Sequence, residues 1–419
     1  MSIKNLLPQI ILYFSLTKIF ICYIETPFYT HHSSHPNKTN DNDYVKYFSE
    51  NQIYIYLNIG VPTQKIVSTL NFNEYPLLIC YNICEIESAF SINNSLTYTE
   101  KSNGNFFINP IGRSVSTYIV NDSFYFNDNN NPYILSYLFV PLNRGKYEEE
   151  FKKTPYTCAD IGLKLPSSEL RSYHYNFVRM LRASDSIKDY VYFLEYDDKN
   201  DETGKFVIGI EPHEYNPKKY KSDDLKQIYS IQAYTGIYWQ LKFNSVYFKK
   251  FENETEMNVN LENTDVGLEP NLNVILATYE YMEMIEKEFF NKKKNLCEKN
   301  RLYNNYINYE CINYTDVQEF PSLYFVHRNL GASFELNYKD LWIEYNGKYI
   351  SLIWISLNDR KNWRFGKPFL KKYFFSYNVD KKLMSFYPTN EEGDKSENDK
   401  DSTINDEKKY NLSWFKSDK

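Results

Sequence analysis

Cys80 and Cys84 stand close together in the chain, and Cys297 and Cys311 form a second near pair. Such spacing suits two local disulfides in an oxidising compartment, or else buried reduced thiols. Cys158 is then left over, and Cys22 lies in an apolar N-terminal stretch. His31, His32 and His35 lie in a polar run with no further ligand types at a useful spacing. A flexible segment is read there rather than a metal centre, and no cofactor is expected. Asp265-Val266-Gly267 places a carboxylate beside a glycine, where the Asp can do acid–base work or simply shape a turn.

These residues must be held by a large framework. The chain has 419 residues, 42% hydrophobic and 24% charged, enough for two lobes with a substantial core. Its formal charge is −6 and no basic stripe stands out, so nucleic acid is not expected as a partner. Tyr (41) and Phe (29) are abundant; codon bias accounts for this, with a base- or sugar-stacking surface as the alternative. Lys4 precedes an apolar run from Leu6 that Lys18 interrupts. Residues 1–25 are therefore read as a signal peptide, cleaved around Cys22 to Thr26, with an uncleaved anchor as the alternative. Asn37, Asn93, Asn121, Asn253, Asn313 and Asn411 each precede Ser or Thr by two residues, which suits glycosylation in the same compartment.

From Tyr47 the pattern has a period of two. Ile53, Ile55, Leu57 and Ile59 alternate with Tyr54, Tyr56 and Asn58 before Gly60 and Pro62 break the run, as in a half-buried strand ending in a turn. Short strands recur to Val379, and helical spacing is confined to Tyr173–Leu181 and Tyr279–Phe290. The segment 291–311 reads as a polar loop closed by its two cysteines. The expected organisation is a polar leader (26–46), two mostly β lobes (47–218 and 219–390) and a charged, disordered tail (391–419).

Ile59-Gly60-Val61-Pro62-Thr63-Gln64 resembles the I-G-T-P-P-Q turn that opens pepsin-like (A1) aspartic proteases. Further matches follow in family order: Ala159-Asp160-Ile161-Gly162-Leu163, the Phe193 to Gly209 hairpin, Tyr238-Trp239-Gln240-Leu241, Phe320-Pro321-Ser322-Leu323, and Phe365-Gly366 to Asp380. The resemblance implies an all-β, bilobed pepsin-like acid protease fold with a few short helices. The cysteine pairs after the first signature and before Phe320 resemble the plant-type and plasmepsin V-like branch.

The resemblance also implies where catalysis would sit. Two Asp residues, one from each lobe, share a proton and exchange acid and base roles. A small Thr or Ser beside each Asp supplies a hydrogen bond that fixes the two loops. A gapless count from Ile59 puts Asn71-Phe72-Asn73-Glu74 at the first D-T-G-S. Asn71 is nearly isosteric with Asp, but its amide does not titrate. Asp265 is the candidate for the second position; counting back from the helix near Thr278 offers Leu268-Glu269-Pro270 instead. Phe107 and Asn109 fall near the flap tyrosine of the family. The expectation is a pseudoprotease of the secretory pathway, monomeric, without a certain membrane span, whose cleft takes a peptide or protein. The alternative is an active endopeptidase with divergent catalytic residues.

Overall fold

The computed structural model describes residues 23–31, 45, 52–72, 77–81, 90–108, 113–126, 133–141, 159–165, 176–197, 200, 202–222, 225–229, 239–249, 257–260, 265–293, 296–302, 305–327, 333–357 and 363–387. The first eleven strands are β1 (Ile24–His31), β2 (Gln52–Ile59), β3 (Gln64–Asn71), β4 (Leu77–Tyr81), β5 (Thr99–Ile108), β6 (Arg113–Tyr125), β7 (Tyr133–Pro141), β8 (Ala159–Gly162), β9 (Val191–Tyr196), β10 (Thr203–Ile208) and β11 (Lys226–Tyr229). Period-two patterning makes β2 a strand: Ile53, Ile55, Leu57 and Ile59 are fully buried while the residues between them reach solvent. Burying each such side chain contributes about 2 kcal/mol. Gly60 takes φ +80 in the turn to β3, which a side chain would resist, and its N–H donates to Ser123 O at 2.8 Å.

The second half supplies β12 (Gln240–Lys249), β13 (Met257–Asn260), β14 (Asp265–Leu268), β15 (Ile275–Ala277), β16 (Cys297–Leu302), β17 (Tyr306–Cys311), β18 (Ser322–His327), β19 (Ser333–Leu336), β20 (Trp342–Tyr345), β21 (Lys348–Ser351), β22 (Ile353–Ser356) and β23 (Trp363–Phe365). The last two strands are β24 (Phe374–Asn378) and β25 (Leu383–Tyr387). The helices are short. The longest described is Tyr279–Glu288, preceded by Thr278, and Asn176 caps the helix Phe177–Ala183 by accepting from Val178 N and Arg179 N. Both lie where helical spacing predicts them.

Two large sheets result, one of 13 strands and one of 12. The predicted boundary at 218/219 does not separate them. β11, β24 and β25 join the first sheet, where β24 pairs antiparallel with β9. β1 also departs from the predicted leader. It lies between β2 and β10, and Thr26 and Phe28 are buried. The segment expected as a polar loop holds the β16–β17 hairpin. Of the other residues read as signal peptide and leader, Tyr23 and a buried Val45 are described; the rest, and the tail 391–419, lie outside the described residues.

The two halves repeat one motif. In the first sheet the order β2-β3-β8-β4-β7 places β3 antiparallel to β2 and parallel to β8. In the second, β12-β14-β23-β15-β22 places β14 antiparallel to β12 and parallel to β23. In each half a later strand inserts between two that are consecutive along this crossing.

Candidate functional site

Each crossing leaves the end of a central strand facing the other half. β3 ends at Asn71, which pairs with Gly162, and Leu163 N donates to Asn71 O at 2.8 Å. β14 ends at Leu268; residues 269–271 turn, and Lys367 N donates to Leu272 O at 2.7 Å. Leu272 thus meets the residue after Gly366 as Asn71 meets the residue after Gly162. A Cβ on Gly366 would collide with Leu272 O and Val274 O, so the close backbone approach requires glycine there.

The halves meet through Asn271. Its Nδ2 donates to Leu70 O at 3.1 Å, beside Asn71, while its buried Oδ1 has no partner among the described residues. This is the kind of inter-loop bond expected from a small hydroxyl residue. Glu269 precedes it, nearly buried, with Oε2 3.5 Å from Arg364 Nη1. Beneath Asn71 lies an aromatic floor drawn from both halves. Tyr192 stacks on Tyr377 (5.1 Å) and meets Trp239 and Phe72 (both 6.3 Å). Tyr192 Oη and Trp239 Nε1 both donate to Leu163 O, at 3.2 and 3.4 Å. All four rings are buried, and burial pushes the Tyr192 phenol up, so it remains a hydrogen-bond donor.

A carboxylic side chain shares the face of Asn71. Asp160 on β8 pairs with Thr69 and Leu78, two residues along the strands from the Asn71–Gly162 pair. Its carboxyl is pushed up to about 6 by desolvation, against a hydrogen bond with Thr69 that lowers it.

The structure treats the predicted residues unequally. Asn71 lies at the crossing. Asp265 opens β14 opposite Lys242, at the strand end away from the crossing, and the second-half residue that reaches the chain beside Asn71 is Asn271. Of the two predicted placements, Leu268-Glu269-Pro270 is therefore the one adjacent to the meeting point. Phe107 lies on β5 opposite Ser114, and Asn109 is outside the described residues. Cys297 and Cys311 are disulfide-bonded across the β16–β17 hairpin. Cys80 lies on β4, and Cys84 and Cys158 are outside the described residues.

Residues 61–389 match the eukaryotic aspartyl protease family. The chain belongs to that family. No curated protein matches it. Within this aspartyl protease fold, sequence reasoning missed Asn271, Arg364 and Asp160 as parts of the site. One signal was present: Asn-apolar-Asn occurs at 71–73 and again at 271–273, one residue out of step with the backbone match at Leu272. Among the described residues no group of three or more His, Cys, Asp or Glu forms a metal cluster, and no helix is long and apolar enough to cross a membrane.

Proposed function

We propose that this aspartyl protease homologue has no peptidase activity and that the cleft between its halves binds a peptide or protein segment. The carrying observation is the contact between Asn271 and Leu70 beside Asn71. Hydrolysis by this family needs two carboxyls sharing one proton. On this reading Asn71 stands in the first position, and the turn 269–272 carries a single carboxyl, Glu269, which lies beside Arg364. An amide and an ion pair cannot exchange one proton between acid and base roles.

The fold keeps what a groove needs. The aromatic floor is rigid and the loops are bonded to each other, so a ligand meets a preorganised surface. Residence in the secretory pathway is supported by the apolar N-terminal run and by the Cys297–Cys311 disulfide. That disulfide, placed before Phe320-Pro321, supports the plant-type and plasmepsin V-like branch. The sequons at Asn93 and Asn313 are exposed, which fits glycosylation there.

The test is hydrolysis of a quenched-fluorescent peptide library between pH 3 and 7, with and without a statine-type inhibitor, alongside anisotropy measurements of peptide binding. Binding without turnover is expected. Inhibitor-sensitive cleavage would instead establish an endopeptidase with divergent catalytic residues.

A further inference from the structure

The two crossings carry side chains of opposite charge at matching places. Asp160 lies two residues before Gly162, and Arg364 two residues before Gly366. Paired residues in a sheet project to the same side. The core side of β3 and β8 is set by Ser68, Leu70, Ala159 and Ile161, all buried. Thr69, Asn71 and Asp160 project to the opposite side, and all three are only partly buried. Gly162 is opposite Asn71, so no β8 side chain stands between Asp160 and Asn71. The separation along the strand is about 7 Å, roughly the spacing between alternate side chains of an extended peptide.

The charges are treated differently. Arg364 has Glu269 3.5 Å away. Asp160 has Thr69 as a hydrogen-bond partner, and among the described residues no cation contributes to its environment. On β3 its own side carries Val67, Thr69 and Asn71; Lys65, further along, sits over the Tyr56 ring at 3.9 Å. β4 contributes Leu78 opposite Asp160, with Cys80 and Tyr81 as its titratable residues. Along its own chain the next charge is the buried Lys164. The carboxyl is surrounded densely enough to be desolvated, yet the residue still reaches solvent. Such a recess favours an incoming cation, because a charge-assisted pair strengthens as water is excluded.

We propose that Asp160 makes the groove selective for peptides that place a lysine or arginine side chain beside the residue crossing Asn71. This rests on the reading of the cleft as a peptide-binding groove. Contact with a cationic side chain would satisfy a carboxyl that the described fold leaves without a counter-ion.

The experiment uses the full chain and fluorescein-labelled octapeptides that differ at one position in turn, carrying lysine, norleucine or glutamate. At pH 7.5 one position is expected to favour lysine over norleucine by about tenfold. That ratio should shrink towards one as the pH falls through about 6, where Asp160 takes up its proton, and should vanish in Asp160→Asn. Should Asp160→Asn fail to fold, the pH dependence of the ratio in the unaltered chain decides. Peptide binding with no preference for lysine, or a preference that survives Asp160→Asn or acid, overturns the inference and leaves the groove standing. Absence of binding by every peptide overturns the groove itself, and this inference with it.

Discussion

Asn271 donates its side-chain amide to the main-chain carbonyl of Leu70 across 3.1 Å, joining two loops separated by 201 positions in the chain. The contact fixes how the ends of the two central crossings approach each other. Asn271→Ala removes the donor without filling the space. A loss of about 1 kcal/mol is expected in urea unfolding. Asn271→Asp should do no better at pH 7, because a carboxylate has no hydrogen to give a carbonyl.

Asn71→Asp alone is expected to restore no peptidase activity. The turn 269–272 beside it carries one carboxyl, Glu269, and that carboxyl lies 3.5 Å from Arg364 rather than being held ready to share a proton. The substitution is also expected not to raise the melting temperature at pH 7, since it adds a charge to a partly buried site. Calorimetry and a peptide-cleavage assay check both; a clear rise in either would refute this.

Asp160 gives stability an unusual slope with pH. Its carboxyl titrates near 6 in the fold and near 3.8 as a free group. Between those values the native state holds a proton that the unfolded chain has released, so this contribution falls as pH rises. Asp160→Asn should therefore raise stability at pH 7.5, by at most about 3 kcal/mol, and change it little at pH 3.5. Denaturant titrations at the two pH values check the sign.

His327 acts in the opposite direction. It is buried on β18 against the Phe243 ring, and desolvation lowers its pKa from 6.5 to about 4. The unfolded chain takes up a proton below pH 6.5 that the fold refuses until about 4. Stability from this group is complete above 6.5 and declines as pH falls through the window, by roughly 3 kcal/mol in all. His327→Gln should flatten the acid side of the stability profile between pH 6.5 and 4.

What the sequence made legible was the repeated framework. Ile53 to Ile59 announces β2 by strict alternation, and Phe365-Gly366 marks a glycine whose Cβ the structure has no room for. β1 was hidden because its buried positions alternate Ile24, Thr26, Phe28 and Thr30, two of them polar, beside an apolar run that drew attention elsewhere. The β16–β17 hairpin was hidden because Glu298, Lys299 and Arg301 read as loop; backbone pairing and a disulfide hold it instead of an apolar stripe. The site was harder still. Asn271 meets its partner through a side chain and a carbonyl far away in the chain, which leaves no local period to read.

The return of β24 to the edge of β9 has a consequence for biosynthesis. Until Phe374–Tyr387 has left the ribosome, Val191–Tyr196 presents a largely apolar strand with one edge unpaired. The first half is then complete in sequence and open in structure. Such an edge is a template for pairing with another chain. Pairing with a neighbouring chain therefore competes with the return of the last strands for as long as that edge stands open.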